Sequence, residues 1–283
     1  MRMWLRIFIS ILIVVSGSSC TTFIISSALQ PTLTNLQKQS DLGLVCDGAP
    51  AYLLMLDSML ISDPDNVELL LAGVKSYVGY AAALTACGRI ERSADVSEKA
   101  RHYGLMLLRR LGGPSADLDD FTGFQSFVSR LDKDKVPALF WGGYGLATWI
   151  QYQQGSPASM AEIVKVEEIM LRVLELDPSY YYGSAHIFLG AYYGSRPQLL
   201  GGKLEESKIH FEQALSLGRR QFLSAQVTYA ETYARMTFDR ELFSSLLHEV
   251  MDFSLSGNPD QALANSVAKR RAKTLLENID SYF

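Results

Sequence analysis

The chain has 283 residues, of which 48% are hydrophobic and 20% are charged. This composition excludes an intrinsically disordered protein and supplies enough apolar side chains for a full core. The formal net charge is -4, whereas nucleic-acid-binding proteins usually carry an excess of basic residues. We therefore expect no nucleic-acid partner.

Residues 1–19 predict a signal peptide. Two arginines accompany an apolar run over Trp4–Val15, which is too short to span a bilayer, and small residues precede Cys20. This pattern resembles the lipobox of bacterial lipoproteins, in which the cysteine sulfur receives a diacylglycerol, so we expect lipid attachment at Cys20. Gly17 stands where leucine is usual. An ordinary cleaved signal and an uncleaved anchor therefore remain alternatives.

Residues 20–45 form a polar segment that we expect to act as a lipidated tether. Acyl chains on Cys20 would hold the following domain at a membrane surface. Thr21 and Thr22, in place of aspartate, follow the cysteine. By resemblance to sorted lipoproteins, this favours the outer membrane.

Helical patterns follow one another over residues 46–283, and we expect a single all-α domain there. Turn residues at Asp63–Asn66 and Asp177–Ser179 are expected to end one helix and cap the next. The predicted helices, in chain order, are Ala51–Ile61, Val67–Cys87, Val96–Leu111, Leu118–Leu131, Val136–Gln154, Met160–Leu176, Ser184–Tyr193, Leu204–Leu217, Leu223–Met236, Arg240–Phe253 and Pro259–Ile279.

The segment Tyr180–Gly218 has the pattern of a tetratricopeptide helix pair. Gly190 and Ala214 are small residues at positions where two antiparallel helices approach closely, while Tyr193 and Phe211 fill the space beside them. Such a pair cannot bury its apolar face alone. Related spacings elsewhere predict an array of antiparallel helix pairs with three to four degenerate tetratricopeptide-like repeats.

Cys46 and Cys87 are the remaining cysteines. Export would place them in an oxidising compartment, where a disulfide is permitted. Cys87 nevertheless ends an alanine-rich helix, and the favoured interpretation is that it is a small packing residue.

The predicted helix after Val136 carries a small face and an aromatic face. Ala138, Gly142 and Gly145 share the small face, which would permit close contact with another helix. The aromatic side chains are ordinary core residues in one interpretation. In the other they line a largely apolar ligand cleft, whose candidate residues on this helix are Trp141, Tyr144, Trp149 and Tyr152.

His186 and Tyr193 on the next helix pair are further cleft candidates, although a lone helical histidine more often packs than binds a ligand. His102, His210 and His248 have no partner at metal-ligand spacing along the sequence, so we expect no metal. No catalytic triad order, nucleophile elbow or paired-acid motif is visible. The sequence therefore predicts neither an enzyme nor a cofactor.

Several segments together resemble the tetratricopeptide-containing T component of tripartite ATP-independent periplasmic (TRAP) transporters. They are Asp47–Asp57, Leu131–Trp141, Ala185–Lys203, Tyr229–Arg235 and Phe238–Glu241. The resemblance implies an all-α periplasmic lipoprotein that forms a homotrimer around a central pore. It also implies an apolar cleft in each protomer, docking of the solute-binding P component, and a functional role for Cys20.

These observations favour a transport accessory that presents or receives a hydrophobic or organic-acid small molecule for a solute-binding protein. The alternative is a tetratricopeptide lipoprotein adaptor in outer-membrane or pilus assembly, whose concave surface grips a peptide. An envelope hydrolase with a site assembled from distant residues is a third and weaker hypothesis.

Overall fold

The computed structural model describes residues 31–112, 120–153, 155–197, 199 and 201–283, and within these ranges it contains helices and no strand. The expected all-α fold is confirmed. The helices are α1 (31–37), α2 (Leu42–Ser62), α3 (Val67–Ala86), α4 (Ile90–Arg110), α5 (Phe121–Ser129), α6 (Val136–Tyr152), α7 (Pro157–Leu176), α8 (Tyr180–Gly194), α9 (Leu204–Leu217), α10 (Ser224–Tyr229), α11 (Arg240–Asp252) and α12 (Ala262–Glu277).

Some predicted features fall outside the described residues. These are the signal peptide, Cys20, the first part of the tether, the predicted start of a helix at Leu118 and the predicted helix end at Gln154. The predicted helix over Leu223–Met236 is present but is not uniformly α-helical, because α10 continues as a π-helical segment over Ala230–Ala234.

The expected turns end α2 and α7 as predicted, and Asn66 also caps the helix that follows it, whereas Ser179 forms no side-chain cap at the start of α8. Asn66 accepts hydrogen bonds at its side-chain oxygen from the backbone N–H groups of Glu68 and Leu69, which opens α3. Asp177, which follows α7, accepts a hydrogen bond from the backbone N–H of Ser179. These contacts satisfy backbone groups that a helix end leaves without an intrahelical partner.

The folded part begins earlier than residue 46. Leu33, Leu42 and Val45 are buried in the core, although they belong to the segment expected to be a tether. Helix α2 begins at Leu42 and contains Pro50, whereas the predicted helix began after that proline. Residues 31–45 therefore pack with the domain.

Cys46 and Cys87 form a disulfide between α2 and the end of α3. The interpretation of Cys87 as a small packing residue is therefore wrong, since α2 and α3 pack antiparallel and bring the two cysteines together at the end of the pair opposite to the turn over residues 63–66. By length and composition α2 and α3 are apolar enough to cross a membrane. In α3, however, 67% of the most apolar 18-residue stretch is buried within the fold. That burial is typical of a core helix.

The small face of α6 makes the close helix contact that its glycines predict. A Cβ atom placed on Gly145 would lie 2.5 Å from the carbonyl oxygen of Ala100 on α4, and one on Gly104 would lie 2.8 Å from the carbonyl oxygen of Gly142. On another side of α6, a Cβ on Gly143 would lie 2.7 Å from the Ile169 side chain of α7. Glycine is thus required for α6 to lie between its neighbours.

The helices build two connected cores. The first is formed mainly by α2, α3, α4, α6 and α7, and the second by α8 to α12. Tyr181 packs against both cores. Helix α12 contacts α11 and α10 but also returns to α3 and α2, and an ion pair joins Lys38 to Asp260 at 3.0 Å. The last helix therefore packs against the first helices of the part of the chain that the structure describes.

Candidate functional site

An aromatic cluster lies where α6 meets the start of α8. We define it as Phe140, Trp141, Tyr144, Tyr180 and Tyr181. The ring centroids of Trp141 and Tyr181 are 4.8 Å apart, and those of Trp141 and Tyr144 are 5.6 Å apart. Trp141 is 3% exposed. The structure thus brings two of the predicted cleft residues, Trp141 and Tyr144, together with three aromatic residues that were not predicted as cleft residues.

A left-handed turn positions Tyr181 in this cluster. Tyr181, Tyr182 and Gly183 have φ angles of 45°, 60° and 72°. A non-glycine residue in this region costs roughly 1 to 2 kcal/mol. The turn directs Tyr181 towards Trp141, while Tyr182 stacks on Phe222 at a centroid distance of 5.2 Å. Backbone strain of this kind concentrates at ligand-binding and switching sites.

The polar atoms of the aromatic cluster are incompletely paired. The indole N–H of Trp141 is buried and has no hydrogen-bond partner among the described residues. The Tyr180 hydroxyl lies near it but outside hydrogen-bond geometry. A buried donor without a partner costs roughly 1 to 3 kcal/mol. The cluster therefore offers a free donor to a molecule that carries an acceptor.

Lys75 adds a positive charge beside the Trp141 ring. Its ammonium nitrogen lies 5.4 Å from the centroid of the Trp141 ring. Burial lowers the pKa of Lys75, and burial raises the pKa of the Tyr144 hydroxyl. The Tyr181 hydroxyl donates a hydrogen bond to Oε1 of Gln261 at 3.3 Å, next to α12. Among the described residues, the surroundings are thus apolar aromatic surface with the Lys75 cation and the unpaired Trp141 N–H donor.

Trp149 and Tyr152 lie away from the aromatic cluster. The Trp149 indole donates to Oε1 of Glu98 at 2.6 Å, and the Arg101 guanidinium lies 4.6 Å from its ring centroid. The Tyr152 hydroxyl is 2.7 Å from Oγ1 of Thr85. Both side chains therefore contact α3 or α4, and the predicted cleft residues do not form one set.

His186 and Tyr193 belong to a third group between α7, α8 and α9. Nδ1 of His186 lies 2.8 Å from Nδ1 of His210, so one neutral ring donates to the other, and we call these two residues the histidine pair. The Tyr193 hydroxyl donates to Oε1 of Glu167 at 2.8 Å. The view of His186 as a lone histidine is wrong, because it considered sequence spacing only, and packing of α8 on α9 brings His210 against it.

The histidine pair predicts a loss of stability in mild acid. Burial, with a smaller contribution from the charge of His210, lowers the pKa of His186 from 6.5 to about 4. At pH values below the ordinary histidine pKa, His186 is protonated in the unfolded chain but stays neutral in the folded chain. The free energy of unfolding should therefore keep its maximum value above pH 6.5 and fall as the pH drops to about 4. The expected loss is about 1 to 2 kcal/mol, a value reduced to allow for the partial exposure of the side chain. Urea denaturation across this range measures the loss.

A matched pair of variants isolates this contribution. Burial also lowers the pKa of His210, with Glu206 raising it and Lys203 lowering it. His186→Phe should flatten the acid limb of the stability curve, because no proton is then taken up at that position. His248→Gln changes an exposed histidine on α11, outside the histidine pair, and is the matched control. An equally steep acid limb in His186→Phe would contradict the prediction.

Comparison with known proteins places the chain in a family. The model of the TRAP transporter T-component family matches residues 38–283. An uncharacterized protein of Treponema pallidum (strain Nichols) is 23% identical over 266 residues, which cover 87% of this chain and 81% of that protein. The family is an accessory transport component and not a known enzyme family. Because the match extends over most of the chain, this protein belongs to the TRAP transporter T-component family.

Proposed function

We propose that this protein is a membrane-anchored periplasmic accessory component of a TRAP-type solute uptake system. Family membership supports the accessory role in TRAP transport. The Cys46–Cys87 disulfide supports an oxidising compartment such as the periplasm. Lipid attachment at Cys20 would hold the protein at the outer membrane, as the lipobox-like sequence before that residue favours.

In this proposal the helical domain is a scaffold of degenerate tetratricopeptide-like pairs that docks the solute-binding P component and assembles as a homotrimer. The α8–α9 pair supports the repeat interpretation. A Cβ atom on Gly190 would lie 3.0 Å from the Phe211 ring, and the Ser207 hydroxyl donates to the Gly190 carbonyl oxygen at 2.7 Å. These close contacts between small and aromatic residues are the ones that the repeat pattern requires.

The ligand in this proposal is a hydrophobic or organic-acid small molecule bound at the aromatic cluster. The buried indole N–H of Trp141, which lacks a partner among the described residues, is the observation that carries this assignment. The aromatic rings would contact the apolar part of the molecule. The indole N–H and the Lys75 ammonium would face its carboxylate, because both favour an anionic acceptor.

Co-purification of residues 21–283 with the solute-binding protein, followed by native mass spectrometry, tests partner, stoichiometry and bound ligand together. We expect a ternary assembly that retains a small molecule. Trp141→Phe should lower ligand retention about tenfold, because it removes the free donor. Trp149→Phe is the matched control on the same helix, and it should retain ligand as the parent does because Trp149 already donates to Glu98.

Two outcomes would contradict the proposal. Retention that falls equally in both tryptophan variants would place the ligand away from the aromatic cluster. Crosslinking to an outer-membrane or pilus assembly machine, without recovery of the solute-binding protein, would favour the tetratricopeptide adaptor instead.

A further inference from the structure

A groove lies at the seam between the start of α2 and the face of α12. Its volume is about 450 Å³, and it is open to solvent. The residues that line it are Ser40, Asp41, Leu42, Gly43, Met251, Ser266, Lys269, Arg270 and Lys273. This seam groove shares no residue with the aromatic cluster, so an inference about it does not depend on the proposed transport role.

The charge of the seam groove is positive. Three cationic side chains line it against one acid, Asp41. The Lys269 ammonium donates to backbone carbonyl oxygens at the end of α11, including those of Met251 and Phe253, each at 2.6 Å. Arg270 is exposed and has no ion pair within the part of the chain that the structure describes. The Lys273 ammonium nitrogen lies 3.8 Å from Oε1 of Glu277, so this ion pair is loose.

Hydrogen-bond donors face the same space. Ser266 is only 8% exposed, and its hydroxyl has no hydrogen-bond partner among the described residues. The Asp41 carboxylate accepts from the Leu44 N–H at 3.0 Å, which leaves the N–H groups of Leu42 and Gly43 in the first turn of α2 without a helical partner. The partial positive charge of a helix N-terminus adds to that of the basic side chains.

We propose that the seam groove binds a phosphate group, with Arg270 and Lys273 as the cationic contacts and the Ser266 hydroxyl as a buried donor. A tetrahedral phosphate carries several acceptor oxygens, so it can use the guanidinium, the hydroxyl and the backbone N–H groups at the same time. The groove is larger than a phosphate ion. It therefore has room for an ester group attached to the phosphate, as on a lipid headgroup.

Binding measurements on residues 21–283 distinguish a free phosphate from a lipid headgroup. One arm titrates inorganic phosphate by calorimetry, and the other measures co-sedimentation with vesicles of phosphatidylglycerol or of phosphatidylcholine. Saturable binding in either arm is expected, with phosphatidylglycerol preferred among the vesicles. Arg270→Gln should weaken it about tenfold and Ser266→Ala several-fold.

Arg92→Gln is the matched control, because it removes an exposed arginine on α4 that lies outside the groove. Circular dichroism checks that each variant is folded, and Arg92→Gln should bind within about twofold of the parent. Absence of binding in both arms would overturn the proposal. So would equal weakening by Arg92→Gln and Arg270→Gln, or full binding by Ser266→Ala, because surface charge alone would then explain the result.

Discussion

Gly145→Ala is expected to lower the free energy of unfolding by about 1 to 3 kcal/mol, because the added methyl group has no room. Its carbon would lie 2.5 Å from the Ala100 carbonyl oxygen and 3.2 Å from Cγ1 of Val74. The first of these contacts is with backbone, which cannot move aside without separating α4 from α6. Urea denaturation followed by circular dichroism measures the change.

Gly79→Ala is the matched control for this prediction. Gly79 also lies inside a long helix, but a Cβ atom there would meet nothing within 4 Å. Alanine should then stabilise the helix by up to about 1 kcal/mol through its higher helix propensity. The same chemical change is thus expected to act with opposite sign at the two sites. A Gly145→Ala protein as stable as its parent would contradict the close α4–α6 contact.

Reduction of the Cys46–Cys87 disulfide is expected to lower the free energy of unfolding by about 2 to 4 kcal/mol. The bridge joins residues separated by 41 positions, so it removes substantial conformational freedom from the unfolded chain. Denaturation of residues 21–283 with and without a thiol reductant measures the loss. That fragment contains no third cysteine to complicate the comparison.

The double variant Cys46→Ala with Cys87→Ala provides the control for the reductant. Its stability should resemble that of the reduced protein and should not change when reductant is added. Detection of two free thiols in the unreduced, unfolded protein would show that the bridge is absent. Either result can be obtained without knowledge of the ligand or of the partner protein.

Local patterns predicted most of the helices, and one of the exceptions, at Pro50, has an identifiable cause. Proline has no N–H to donate to the Cys46 carbonyl one turn earlier, so local propensity disfavours a helix that continues through Pro50. In the structure that carbonyl accepts instead from the Tyr80 hydroxyl at 3.2 Å and from Nη1 of Arg89 at 3.3 Å. These donors are distant in sequence, so helix periodicity could not identify them.

The candidate site was predictable only where its residues share one helix. Trp141 and Tyr144 were recognised from the aromatic face of α6, and the structure places them together. Tyr181 reaches them through a left-handed turn, a conformation that propensity disfavours for tyrosine. The run of tyrosines before Gly183 was the sequence feature that could have indicated this part of the site. The contact between His186 and His210 depends on how α8 packs on α9, which spacing along one chain does not specify.

The return of α12 to α2 and α3 has a consequence for how the molecule folds and unfolds. In an open array each unit contacts only its neighbours, so terminal units can fray while the rest remains intact. Here the contacts of α12 with α2 and α3 raise the contact order, because they join residues that lie far apart in the sequence. Loss of the last helix should therefore expose the surfaces of α2 and α3 that it covers, and the domain should unfold as one cooperative unit.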